Sequence, residues 1–233
     1  MRKPLGKIYM QMKNYIKIKK LILIGISFVF LTNCNSEQDQ KNIKVEPLSS
    51  FKSINIERQK NAILQLNSDN KEIQLTMIDS ILNDSNAFSP PVLFLLSTKL
   101  FELNKKDDAA FWYYTGQLRA RYDANLCTDE SAKSVATILS NEYGLKINEH
   151  SMQNINNLEV IVKKVVDFVR TNNENYDHRW ISLHGMNAMQ SGLNKNETHI
   201  ELTLPRNKWS EIKKSTVDTY YNDFLTYVVN GKK

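Results

Sequence analysis

The chain reads as a mainly α protein: one globular helical domain that contains a helical hairpin and a small two-stranded β element near 197–204. Three observations predict this. Apolar residues recur every three to four positions through most of residues 51–233, the period of one helix face. Cap, Pro and Gly signals divide these stretches into helices of ordinary length. One segment alternates polar and apolar residues at the period of a strand.

Residues 35–50, NSEQDQKNIKVEPLSS, are polar, carry one Pro and lack a helical period, which reads as a flexible tether. Asp69, with Glu72 three positions on, has the form of a capping box. Ile73, Met77, Ile78 and Ile81 then share one helix face. Asn83-Asp84-Ser85-Asn86 breaks that helix, and Ser89-Pro90-Pro91 starts another. Ser offers a cap oxygen, and Pro lacks only an N–H that the first turn leaves unpaired anyway. Apolar residues from Val92 to Leu103 cover most of this helix's circumference, so it belongs at the centre.

The polar turn at 104–107 is short enough to send the next helix, about 107–124, back antiparallel. Thr128 is placed to cap a further helix, with Asp129 and Glu130 where the helix dipole favours acids. Gly144, tolerant of the left-handed conformation, is placed to end it. Leu158, Ile161, Val162, Val165, Val166 and Val169 form the cleanest helical stripe, which stops at the polar residues 171–175. His199, Glu201 and Thr203 alternate with Ile200, Leu202 and Leu204, a strand signal for which Ser53-Ile54-Asn55-Ile56 is the natural partner. Pro205 opens a terminal helix carrying Trp209, Ile212, Val217, Tyr220, Tyr221, Phe224 and Val228.

The N-terminus has a different character. Residues 1–33 hold Arg2, Lys3, Lys7, Lys13, Lys17, Lys19 and Lys20 with no acid, and the basic stretch leads into an apolar run at 21–31. A basic region followed by an apolar one and a processing site is the order of a secretory signal peptide. The run is too short for a bilayer core, which takes roughly 20 apolar residues. Met12 also begins a signal of ordinary length, Met12-Lys13-Asn14-Tyr15. Leu31-Thr32-Asn33-Cys34 resembles the lipobox of bacterial lipoproteins, with Asn33 where that family usually has Gly or Ala. The resemblance implies cleavage before Cys34 and a diacylglycerol on its thiol. Residues 1–33 are then a removed signal peptide, 34–50 the lipidated Cys and tether, and 51–233 the helical domain. Asn35, rather than Asp, after the Cys implies the outer membrane, facing the periplasm, in a Gram-negative cell.

Charge must be counted on the mature chain. The whole sequence carries +6, but the seven basic residues of 1–33 come off its 31, leaving 24 against 25 acids, a net −1. A nearly neutral domain lacks the electrostatic footprint of a nucleic-acid binder. Cysteine is scarce: with Cys34 lipidated, only Cys127 remains, so no internal disulfide can form and the fold rests on packing. Cys127 itself reads as a small buried hydrophobe.

Two segments are candidates for function. Residues 90–125 resemble one unit of a tetratricopeptide-type repeat: the second helix, Asp107-Asp108-Ala109-Ala110-Phe111-Trp112-Tyr113-Tyr114-Thr115-Gly116-Gln117, pairs small residues with aromatics as such hairpins do. No second copy follows and the Leu-Gly pair of the family is missing, so the segment reads as a hairpin within a globular domain. The resemblance implies partner binding rather than chemistry. Four consecutive aromatics cannot share one helix face. Trp112, Tyr113, Arg119 and Arg121 are therefore candidate partner-binding anchors, of the types enriched in hot spots. The competing assignment puts Phe111, Tyr114 and Leu118 in the core and pairs Arg119 with Asp123 across one turn.

The second segment is Tyr176-Asp177-His178-Arg179-Trp180-Ile181-Ser182-Leu183-His184. His178, Arg179, Trp180 and His184 complete the candidate partner-binding set. As chemistry, His178 or His184 could act as a base with Asp177 orienting it and Ser182 as the hydroxyl. Six residues separate the two imidazoles, and no glycine elbow surrounds Ser182. With His199 and Glu201 the spacing of a metal site is also missing. No cofactor, metal or nucleic acid is expected.

These readings converge on a lipid-anchored, envelope-facing, non-catalytic binding protein whose partner is another protein. An immunity or inhibitor protein against an envelope-acting toxin or hydrolase is the specific version. A small hydrolase using His178 and His184, and an assembly or scaffold lipoprotein, are the alternatives.

Overall fold

The computed structural model describes residues 48–193 and 199–231, the last four as backbone alone. The signal peptide, Cys34, most of the tether, Glu197 and the Val228 side chain lie outside the described residues. Among the described residues eight α-helices form: α1 Glu57–Leu66, α2 Lys71–Asn83, α3 Pro90–Glu102, α4 Lys106–Leu126, α5 Val135–Ser151, α6 Ile155–Thr171, α7 Met186–Leu193 and α8 Trp209–Gly231. Short 3-10 turns at Ser49–Ser53, Ser85–Ala87, Glu130–Ser134, His178–His184 and Arg206–Lys208 join or precede them.

Helix α4 is the hub, packing against α3, α5, α6 and α8. Its sequence shows little amphipathic pattern because almost every face is covered, polar side chains included. Helix α3 returns on it as the expected antiparallel partner: Gly116 sits so close that an added Cβ would lie 3.4 Å from Leu93 Cβ. One apolar cluster joins α4, α5, α6 and α8, with Phe94 of α3, around Leu118, Val162 and Val165. A second joins α1, α2, α3 and α4 around Leu66, Ile81, Leu93 and Leu96. All six residues of the α6 stripe are buried, so there the periodicity identifies the core face correctly.

Several local expectations are corrected. The α2 cap is Asn70, not Asp69: the Asn70 side chain accepts from the N–H groups of Glu72 and Ile73. Ile73, placed on the buried face by spacing, stays 42% exposed beside buried Met77, Ile78 and Ile81. Thr128 caps nothing; its hydroxyl donates to the carbonyl of Glu201, and Asp129 caps the 3-10 turn instead. Gly144 does not end its helix, which continues to Ser151. Its reason is a close approach: a Cβ at 144 would overlap the Tyr113 hydroxyl, which donates to the carbonyl of Ser140 at 2.9 Å. Gly144→Ala should therefore destabilise the domain by about 1–3 kcal/mol through overpacking, although Ala is the better helix former. Urea unfolding of the variant, with Leu145→Ala as the exposed neighbour control, checks this.

The two-stranded β element does not form among the described residues. Residues 199–204 are extended, but their one bridge is antiparallel between Thr203 and Cys127, with Leu204 N–H donating to Leu126 O at 2.8 Å. The expected partner segment meets them through side chains instead. Phe51, Ile54, Leu202 and Ala188 form a small third cluster, with Ile200 against it. An alternating segment can thus bury one face by lying across helix ends, without a ladder.

Candidate functional site

Arg119 and Asp123 lie one turn apart on α4, and both side chains are wholly buried. The simple expectation for such a pair is a mutual ion pair. The structure divides them between different partners on the loop that follows α6. Asp123 accepts three hydrogen bonds: from Tyr176 Oη at 3.0 Å, Trp180 Nε1 at 2.6 Å and His178 Nδ1 at 2.6 Å. Arg119 lies 3.4 Å from Glu174 Oε1, donates to Ser85 O at 3.0 Å and to Asn86 Oδ1, and stacks over Phe168. Lys213 of α8 closes the set on Glu174 Oε2 at 2.8 Å and on Asn172 O at 2.6 Å. Residues 172–180 are therefore pinned on α4 and α8 by buried charge.

That loop forms the floor of an open cleft of about 2140 Å³. The start of α8 with Trp209 and Ser210 forms one wall, and Arg58 and Gln59 of α1 another. Small-molecule pockets run to roughly 300–1,000 Å³, and the cleft exceeds that range. Cationic side chains outnumber acidic ones on its lining. Arg170 and Lys214 both reach Asp218, at 3.0 and 3.3 Å, and Arg170 also lies 3.7 Å from Asp167. Arg206 has no carboxylate partner among the described residues and rests on the Trp209 ring, 4.5 Å from its centroid.

His178 is buried but reaches this cleft. Its ring packs on Tyr122, Tyr176 and Trp209, and Nδ1 is held by Asp123. Among the described residues Nε2 makes no hydrogen bond, so it is the atom available to a ligand. Burial pushes the imidazole pKa down, and the charge and hydrogen bond of Asp123 overcome this, so His178 titrates above its ordinary value. Burial raises the Asp123 carboxyl, which its three donors partly offset. A base whose folded pKa is raised contributes stability in full below its unfolded pKa, roughly 6.5 for His, and loses it as pH rises through the folded value. The urea midpoint should therefore fall as pH rises from about 6.5 through that value, and His178→Gln should flatten the dependence.

The sequence-predicted anchors divide sharply. Trp112, Tyr113 and Arg119 are buried, at 8%, 1% and 0% exposure, so the exposed anchor expected of them does not exist in this fold. Trp112 packs edge-on against Phe111 and Phe168, and Tyr113 against Phe94. Of the competing core assignment, Tyr114 and Leu118 are buried and Phe111 half-buried, whereas its Arg119–Asp123 pair is replaced by the partners above. Arg121 alone of that group is exposed, stacked over Tyr220. Trp180 is buried on Asp123, and Arg179 is half-buried, held bidentately by Asp177 with its remaining donors on Ser53. His178 and Arg179 line the cleft; His184 does not, and sits exposed against the edge of Trp180.

The proposed chemical set is not assembled either. Asp177 caps the 3-10 turn and binds Arg179 rather than orienting His178. Ser182 is buried, 3.4 Å from Cys127 Sγ, and it hydrogen-bonds Leu202 O. The Cys127 thiol is kept protonated by that burial. Sequence reasoning missed Asp123 as the partner of His178, and Arg206 and Trp209 as a surface pair. The buried acid has no local signal, but Arg206-x-x-Trp209 at the start of a helix offered one.

No group of three or more His, Cys, Asp or Glu among the described residues is arranged to hold a metal, and no described helix is long and apolar enough to cross a membrane. No family model matches the chain, and comparison with curated proteins and with solved structures returns no significant relative.

Proposed function

We propose that the protein is a lipid-anchored binding protein of the bacterial cell envelope that captures an acidic polypeptide segment of another protein in the cleft above residues 172–180. The observation that carries this reading is the cleft itself: larger than a typical small-molecule pocket, cationic in balance, and walled by exposed Arg206 on Trp209. Arg and Trp are the residue types that dominate hot spots. The lipobox-like sequence ending in Cys34 supports the anchor, and an immunity or inhibitor role is the specific form that fits this compartment. Two variants test the reading. Cys34→Ala should accumulate unprocessed precursor and abolish metabolic labelling with palmitate. Arg206→Glu should keep the melting temperature and lower partner affinity by about 2 kcal/mol or more in calorimetry. Labelled Cys34→Ala protein, or unchanged affinity in Arg206→Glu, would overturn the corresponding half.

A second reading has its own observation. Asp123 on Nδ1 and an unbonded Nε2 in the cleft are the arrangement of a general base, so a hydrolase would use His178 with Asp123, not His184. Turnover of a generic ester that vanishes in His178→Gln, with the fold retained, would favour it.

A further inference from the structure

Helix α7 carries an apolar stripe that nothing among the described residues covers. Met186, Met189 and Leu193 are 52%, 53% and 53% exposed. At i, i+3 and i+7 they share one face, and Ala188, on the opposite side, anchors the helix to Phe51, Ile54 and Leu202. The helix, MNAMQSGL, contains no charged residue. Other exposed apolar side chains are scattered singly or have acids between them, as Glu142 and Glu149 stand between Ile138 and Leu145 of α5 and Met152 just past its end. The orientation of α7 is fixed rather than incidental. Its first turn is tied to the Glu130–Ser134 turn, with Met186 N–H on Ser131 Oγ at 2.8 Å and Asn187 N–H on Asp129 Oδ2 at 3.0 Å.

The described chain also begins on this helix, where Leu48 N–H donates to Ser191 Oγ at 3.2 Å. Leu48 follows Cys34 by 14 residues, a length that spans at most roughly 50 Å when fully extended. Whatever surface holds Cys34 is therefore kept within reach of the α7 face. A tether of that length maintains an effective concentration of about millimolar, enough to populate a contact too weak to form alone.

We infer that α7 is a second membrane contact: Met186, Met189 and Leu193 insert into the lipid interface beside the anchor and set which way the domain faces. The inference rests on the lipidation of Cys34. An apolar helix face buries its side chains at the boundary between headgroups and acyl chains without spanning the bilayer, in proportion to the apolar area it offers. Flexible Met side chains suit an irregular surface of this kind.

The test uses the full lipidated protein in phosphatidylcholine–phosphatidylglycerol vesicles containing a spin-labelled quencher lipid. Met189→Cys carries an environment-sensitive dye, and Leu64→Cys on α1, 72% exposed, is the control. Cys127 is buried and Cys34 acylated, so labelling is confined to the introduced thiol. The expected result is a blue shift and loss of emission at 189, with none at 64. Vesicle flotation without quenching at 189 overturns the inference and leaves the anchor intact. Failure to float overturns both. A vesicle-independent, concentration-dependent shift at 189 assigns the stripe to a second copy of the chain and overturns the lipid contact.

Discussion

Asp123→Ala should destabilise the domain by about 3–5 kcal/mol, the cost of breaking a buried pair by removing one partner. The carboxylate is the shared acceptor of Tyr176, His178 and Trp180, all three of which are buried. Its loss leaves an imidazole, a phenol and an indole N–H without a partner in the same cavity. Asp123→Asn should also destabilise the domain, because the amide keeps one acceptor oxygen for three groups and loses the charge that faces His178. In a domain of this size each kcal/mol moves the melting temperature by about 2–4 °C, so a fall of roughly 10 °C is expected. Trp180 reports the same event optically, since its indole N–H loses its partner. A variant with the wild-type melting temperature would show that the three donors are satisfied some other way.

The second large effect separates two arginines two residues apart on α4. Arg119→Ala should cost about 3–5 kcal/mol, because it leaves Glu174 buried with Lys213 as its only cation and frees Ser85 O and Asn86. Arg121→Ala should cost about 1 kcal/mol or less, the range of an exposed cation–π contact with Tyr220. Arg119 and Arg121 look equivalent as binding anchors in the sequence. Urea midpoints of the two variants, measured together, distinguish them. Equal small effects would mean that the Arg119–Glu174–Lys213 cluster adds nothing to the fold.

What placed the loop above α4 was not readable from local pattern. Helix α6 and the burial of α3 were readable, because a covered helix face imposes a spacing that neighbouring residues record themselves. The i, i+4 pair Arg119 and Asp123 followed a local rule in the sequence and a non-local one in the fold, since their partners lie 55 and 53 residues away. Gly144 carried the signal of a helix end, yet it is there to admit the Tyr113 hydroxyl from another helix. The aromatic run at 111–114 looked like surplus for a single core face, but α4 is covered on nearly all sides, so surplus became packing. Residues 199–204 had the alternation of a strand and found helix ends to cover it.

The sequence by itself determined the helical class, the hairpin of α3 and α4, and the core stripe of α6. Its N-terminal resemblance to a lipoprotein signal supports the envelope address proposed above. Each of these depends on residues close together in the chain, where period, caps and composition act directly. Only the tertiary structure decided that Asp123 orients His178, that Trp112, Tyr113 and Arg119 are interior, and that Arg206 and Trp209 wall an open cleft. The physical reason is common to all three. Burial and pairing belong to a side chain's neighbours in space, and around α4 those neighbours arrive from α3, α5, α6, α8 and the 172–180 loop.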